Sequence, residues 1–422
     1  MSYRVLEGWR VVDLGIVTAG ASTSAVLADL GAEVIKVEGP HYTDPFREWT
    51  GVNFDSEWWN ESAQFQATNR NKLSACIDLK RPEGTRLLLD LVAMADVVLE
   101  NFRYGVLERL GIPFERLAAA NPKIVLASIS SQGQTGPDRD KSSFGSTLEA
   151  SSGMAALMRY PGGRPQITGR GMNYPDQVAS LFSASAVIAA LIEARRGGRA
   201  IHVDLSQREL TAFLIAEELV AAGARRGAPA AEQGAGAGTP GQRDGADSAT
   251  EAAGADREGA ASEGNAGEGN AGEGIAGETS GVHAANDGLW VAVTAGRDAL
   301  ARVPGGAAGL AGWIARQRAQ DAACALREMG AAAEVVWTAG RSELDAWPAL
   351  ADAFATDDCG RQVKGLPLRI GAEGPGTFRA APPLGRDNRY VACEILGLGE
   401  EEYGRLCADG IFADRPSKAR RR

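Results

Sequence analysis

The stretch RVVDLGIVTAGASTSAVLADLGAEVIKVEG, residues 10–39, decides the reading of the fold. RVVDLG (10–15) is a short β-rich run, ASTSAVLADLGA (21–32) carries small residues at helical spacing, and EVIKVEG (33–39) is β-rich again. Two strands joined through a helix are the minimal parallel-sheet unit. The pattern continues outward. LSACIDL (73–79), DVVLENF (96–102), KIVLASIS (123–130) and AIHVDLS (200–206) read as further strands. PEGTRLLLDLVAMA (82–95), GVLERLGIPFERLAAA (105–120) and QRELTAFLIAEELVAAG (207–223) read as helices between or after them. The fold class expected is α/β, a Rossmann-like parallel-sheet large domain with a smaller α+β domain.

From about 224 to 280 the composition changes to Ala, Gly, Glu and Asp, with the near-repeat EGNAGEGNAGEGIAGE at 263–278. Such a segment buries too little apolar surface to offset its ordering entropy. The domain reading is therefore 1–223 as the N-terminal part of the large domain and 224–280 as a disordered acidic linker. A small domain at 281–365 and a C-terminal segment at 366–422 with a basic tail complete it. SGVHAANDGLWVAVTAG (280–296) opens the small domain as a strand or hairpin turning at Asn286-Asp287-Gly288.

Bulk chemistry narrows the function. A net charge of −10 argues against nucleic acid as the main partner. Five cysteines with no metal-site spacing fit a reduced, cytoplasmic setting. The N-terminus has no basic-then-apolar leader pattern, and no uninterrupted apolar run of about 18 residues points to a membrane. Three histidines are too few for a multi-histidine metal site, so no metal is expected and the chemistry leans on carboxylates.

Two places invite chemistry. The turn DLGIVTAGAST (13–23) lacks the G-x-G-x-x-G dinucleotide spacing, but Thr18, Ala19, Gly20 and Ala21 let a ligand approach the backbone at a helix start. Glu38 ends the second strand either as a ribose contact or as an exposed strand-end glutamate. The second place is MNYPDQVAS (172–180), where Pro175 suits a first helical turn and Asp176 follows it. Asp176 complements the helix dipole on the plain reading. On the functional reading the same N–H groups keep it ionised for attack on a carbonyl carbon.

Several stretches together resemble the class III CoA-transferases, the CaiB/BaiF family. They are LEGWRVVDLG and LADLGAEVIKVEGP near the start, NRNKLSACIDLKRPEG (69–84) and ADVVLENFRYGVLERLGI (95–112). LASISSQGQTGP (126–137), EASSGM (149–154), RGGRAIHVDLSQRE (196–209) and the closing APPLGRDNRYVACEILGLGEEEYGRLCADGIF (381–412) continue the set. The resemblance implies a large domain completed by a returning C-terminal segment, in a homodimer of interlocked subunits. It implies an acyl-CoA:carboxylate CoA-transferase with acyl-CoA and carboxylic acid as substrates and no permanently bound cofactor. Asp176 falls on the nucleophile that passes through a mixed anhydride and an aspartyl-CoA thioester. The coenzyme A contacts fall on Val17, Thr18, Ala19, Lys72, Ile77, Leu79, Lys80, Asn101, Phe102 and Arg109. Arg70, Lys72, Lys80 and Arg81 also read as a plain charged surface, and Phe102 as a core residue.

The chain departs from the family pattern in places. Gly39 stands where members often carry arginine, and Phe144 and Gly145 replace a tyrosine–acid pair. The related acyl-CoA racemases use a histidine in the stretch occupied here by SFGS, which has none. Two other readings stand beside the transferase: a non-catalytic acyl-CoA-binding protein and an NAD-type oxidoreductase.

Overall fold

The computed structural model describes residues 4–49, 57–158, 163–168, 172–227, 272–273, 278–336, 354–368, 370 and 378–417. The chain divides into two compact units. One comprises Met1–Arg159, Arg164–Ile215 and Arg341–Arg422, the other Tyr160–Gly163 and Ala216–Gly340.

The first unit is built on six strands: β1 (Arg10–Asp13), β2 (Glu33–Glu38), β3 (Leu73–Cys76), β4 (Val97–Glu100), β5 (Val125–Ser130) and β6 (Ile201–Ser206). Their order is β3-β2-β1-β4-β5-β6, and every neighbouring pair is parallel. Helices α1 (Ala19–Asp29), α2 (Ala63–Asn69), α3 (Pro82–Ala93), α4 (Val106–Arg109), α5 (Phe114–Ala120), α6 (Gly145–Ser152), α7 (Met154–Leu157), α8 (Tyr174–Gly197) and α9 (Gln207–Phe213) connect or flank them. All six strands fall on the runs read from the sequence. The single helix expected over 105–120 is two, because Gly111 at φ +73° follows the cap of the first and Pro113 caps the next.

One apolar core joins sheet and helices on one face. Leu87, Leu88, Leu91 and Val92 of α3 are all fully buried at helical spacing against Val12, Ile35 and Val98. Burial of each such side chain stabilises the fold by about 1.5–3 kcal/mol. A second core lies under α1 and α8, with Leu27, Ala179, Val187 and Leu191 against Val11, Val97 and Val125.

Helix α8 corrects one expectation. It is 24 residues long with a mean hydropathy of 1.6 in its most apolar window, long and apolar enough to cross a membrane. Ser180, Ser183 and Ser185 break the run in the sequence without lowering that average much. Ala179, Ala184, Val187, Ala190 and Ala194 are buried in the second core, while Leu181, Phe182 and Ile192 are exposed.

The C-terminal part closes the β3 edge. Asp387 accepts from the Ser74 amide at 2.8 Å, Asn388 accepts from the Cys76 amide at 2.8 Å, and the Ala413 amide donates to the Cys76 carbonyl at 3.2 Å. Residues 390–395 and a helix at Glu400–Ala408 cover the first core.

The second unit carries α10 (Ala216–Gly227), so the helix expected over 207–223 is broken at Leu214-Ile215. Its sheet is antiparallel in the order β10-β9-β8-β7. Those strands are β7 (Gly272–Glu273), β8 (Glu278–Ala284), β9 (Trp290–Gly296) and β10 (Ala332–Val336). The hairpin turn falls where expected, with Gly288 at φ +79°. Helices α11 (Arg297–Leu300), α12 (Gly306–Ile314) and α13 (Ala319–Glu328) complete it. The expected linker at 224–280 falls mostly, and the basic tail at 418–422 wholly, outside the described residues. Strands β11 (Phe354–Thr356) and β12 (Gln362–Lys364) pair antiparallel and belong to the first unit, although the sequence placed them in the small domain.

Candidate active site

Sheet order reverses direction between β1 and β4, and parallel sheets bind ligands outside the strand C-termini at such a point. A cavity of about 550 Å³ opens there. Leu14 and Ile16 follow β1, Glu38 and Gly39 end β2, Asn101 and Phe102 follow β4, and Ser130 ends β5. Leu79, Lys80, Arg103, Arg139, Lys141 and Phe144 complete much of its wall. Ser130 Oγ is buried there and has no hydrogen-bond partner among the described residues.

Of the expected coenzyme A contacts, Leu79, Lys80, Asn101 and Phe102 converge on this cavity. Asn101 also holds the β1–α1 turn, accepting from the Ile16 amide at 2.8 Å and donating to its carbonyl at 3.1 Å. Arg109 lies in an adjoining pocket of about 470 Å³ with Lys80, Arg86 and Arg116, a cationic recess suited to phosphate. Val17, Thr18 and Ala19 follow Ile16 directly but are not part of the cavity wall. Thr18 and Ala19 are buried, and Val17 has a left-handed φ of +57°. A β-branched residue rarely adopts that conformation, so the turn is strained. Its close approach is internal, because a Cβ on Gly20 would stand 2.4 Å from Asn101 Oδ1.

Sequence readings change at Lys72, Arg70, Ile77 and Glu38. Lys72 is no ligand contact: its buried ammonium donates to Asp13 Oδ2 at 2.9 Å, the Ala21 carbonyl at 2.8 Å and Asn69 Oδ1 at 2.8 Å. Those three bonds use all its donors. Burial, opposed by Asp13, lowers its pKa to about 8. Arg70 is likewise buried and paired with Asp29, so it belongs to no surface patch. The Ile77 side chain lies in the core.

Glu38 is neither ribose contact nor exposed. It is 4% exposed and accepts from Arg47 Nε at 2.9 Å and Arg47 Nη2 at 2.7 Å. Burial pushes its pKa up, but the Arg47 guanidinium overrides that and holds it at about 2. Lys36 donates to the Gly15 carbonyl at 2.6 Å and pairs with Asp44 at 3.1 Å, extending this buried cluster beneath the cavity.

Asp176 lies in the first turn of α8, preceded by Asn173 at a left-handed φ of +46°. Its two carboxylate oxygens have different surroundings. Gln207 Nε2 donates to Oδ1 at 3.1 Å. Oδ2 faces Gly145, where an ideal Cβ would stand 3.1 Å away. Since Phe144 lines the cavity, one residue separates its wall from Asp176. Burial raises the Asp176 pKa, while Gln207 and its own backbone N–H pull the other way. The helix start therefore does not depress this acid as the sequence reading supposed. A more basic carboxylate is a better nucleophile. Gln207 escaped the sequence reading; its available signal was Ser206, whose hydroxyl accepts from the Glu209 amide at 3.2 Å and starts α9 immediately after β6.

One further buried acid adjoins the cavity. Glu100 Oε2 accepts from the Phe102 amide at 2.6 Å, and burial raises its pKa to about 7 against a hydrogen bond from Ser128.

Comparison with known proteins agrees with this geometry. A family model described as CoA-transferase family III matches residues 6–243. A succinyl-CoA–D-citramalate CoA-transferase of Chloroflexus aurantiacus is 43% identical over 204 residues, 48% of this chain and 49% of the relative. A succinate–glutarate CoA-transferase of Agrobacterium fabrum is 38% identical over 216 residues, 50% of this chain and 53% of the relative. The chain thus spans about half the length of the curated relatives it matches. The crystal structure of a CaiB/BaiF family protein from Brucella suis superposes with a TM-score of 0.73 at 25% identity, covering 94% of this chain and 100% of that one.

Proposed function

Since the chain belongs to CoA-transferase family III, we propose that it moves coenzyme A from an acyl-CoA thioester to a free carboxylic acid, with Asp176 as nucleophile. The observation that carries the reading is the Asp176 corner: a carboxylate made more basic by burial, one oxygen held by Gln207, the other facing the gap at Gly145. Coenzyme A lies in the cavity against Leu79, Lys80, Asn101 and Phe102, with Arg109 taking phosphate charge in the adjoining pocket.

The carboxylate attacks the thioester carbonyl, the C–S bond breaks, and a mixed anhydride forms with release of the thiolate. The thiolate attacks the aspartyl carbonyl, the donor acid leaves, and an aspartyl-CoA thioester remains. The acceptor acid reverses both steps and departs as the new acyl-CoA. Oxyanions formed on the way need hydrogen-bond donors in a site shielded from water.

The relatives named for succinyl-CoA, citramalate and glutarate favour succinyl-CoA as donor and a dicarboxylic acid as acceptor here. Arg139 and Lys141 on the cavity wall suit a second carboxylate. The reading includes a homodimer working in the cytoplasm. Incubation with succinyl-CoA followed by hydroxylamine and peptide mass spectrometry tests it. An adduct on the peptide holding Asp176, lost in Asp176→Ala, is expected. An unmodified peptide together with full transfer by Asp176→Ala refutes it.

A further inference from the structure

We propose that Gln207 is the oxyanion donor for the aspartyl half of this reaction and divides Asp176 into one retained and one exchangeable oxygen. The inference rests on the reading of Asp176 as nucleophile and adds a residue and a fate for each atom.

Gln207 is fixed from both sides. It is 5% exposed, its backbone carbonyl accepts from Thr211 Oγ1 at 2.7 Å, and the preceding Ser206 hydroxyl caps its helix. Its amide nitrogen stands 3.1 Å from Asp176 Oδ1. Oδ2 points to Gly145, where only the missing side chain leaves room, since a Cβ there would come within 3.1 Å. Oδ1 is thus the oxygen held by a side-chain donor, and Oδ2, which among the described residues has no side-chain donor, is the one we assign to bond formation with the acyl carbon.

The atoms follow. An Oδ2 lone pair bonds to the acyl carbon, and the C–S electron pair leaves on sulfur. Oδ2 becomes the bridging oxygen of the anhydride and Oδ1 the aspartyl carbonyl oxygen. When the thiolate attacks Cγ, negative charge falls on Oδ1, in line with the Gln207 N–H. Collapse breaks Cγ–Oδ2, so the donor acid departs carrying Oδ2. The acceptor carboxylate then attacks Cγ through one of its own oxygens and expels the thiolate, with charge again on Oδ1. The thiolate attacks the acceptor's acyl carbon and leaves that oxygen on the aspartate. Each turnover replaces Oδ2 and keeps Oδ1, with no oxidant and no net proton.

The test uses the full chain, succinyl-CoA and succinate carrying oxygen-18 in both carboxylates. After many turnovers the protein is digested and the mass of the Asp176 peptide is measured. Wild type is expected to gain one heavy oxygen and stop there. Gln207→Ala and Gln207→Leu are expected to lose about 10²–10³-fold in kcat, as when an oxyanion donor is removed. Driven to equal turnover, they are expected to gain two, because an untethered carboxylate rotates. Two heavy oxygens in wild type, or one in the Gln207 variants, overturn the proposal and leave the aspartyl nucleophile standing. No heavy oxygen in wild type overturns the nucleophile as well. If the variants fail to fold, the wild-type plateau decides alone.

Discussion

Glu38 and Asp176 are both acids withdrawn from water beside the same sheet, and burial pushes both pKa values upward. Their outcomes are opposite. Glu38 faces a guanidinium in bidentate geometry and is held at about 2. Asp176 faces a neutral amide, and among the described residues no lysine or arginine pairs with it, so its pKa stays raised. Around Glu38, Arg47, Lys36 and Lys72 each meet a carboxylate, which makes a rigid floor. At Asp176 the charge is left without a partner ion, the condition under which a carboxylate reacts. Matched charges hold the floor of the cavity, and the proposed nucleophile is an acid without such a match.

The comparison breaks most sharply at Asp176 itself. Asp176→Ala should lower transfer by on the order of 10⁴-fold or more, the scale for removing a nucleophile, with the thermal midpoint little changed. A large loss of stability instead would make Asp176 a framework acid like Glu38. The converse substitution is Arg47→Met, which strands Glu38. It should cost about 3–5 kcal/mol in urea unfolding, and adding Glu38→Gln should recover part of it.

Two buried glutamates sharpen the point through pH. Glu100 is raised to about 7 from 4.5, so the folded state binds the extra proton and stability should fall by about 3 kcal/mol as pH rises from 4.5 to 7. Glu38, depressed to about 2, contributes stability that is full above 4.5 and is lost as pH falls toward 2. Unfolding curves of Glu100→Gln against wild type should therefore converge at pH 4.5 and separate toward 7, with the variant more stable at the upper end. The smallest effect belongs to Gly39. A Cβ there meets nothing closer than 3.7 Å, so Gly39→Arg should be accommodated and tighten coenzyme A binding several-fold, about 1 kcal/mol, by calorimetry.

The sheet was legible because its strands are short runs of Val, Ile and Leu, a pattern set by burial on both faces. The cavity wall at Leu79, Lys80, Asn101 and Phe102 was legible only through joint resemblance, since each residue alone is ordinary. Lys72 and Glu38 were misread because a charge in a sequence does not name its partner: Asp13 is 59 positions from Lys72, whereas Arg47 is only 9 from Glu38 and still gave no sign of the pairing. Gln207 lies 31 positions from Asp176, and nothing local marks their meeting.

The β3 edge carries a consequence in time. Leu73–Cys76 leave the ribosome early, but the groups that satisfy their outer side, Asp387, Asn388 and Ala413, come more than 300 residues later. Throughout synthesis of the intervening chain this strand is an open edge, the kind that pairs with other chains. Aggregation during expression, rather than instability once folded, is where damage to residues 387–413 should first appear.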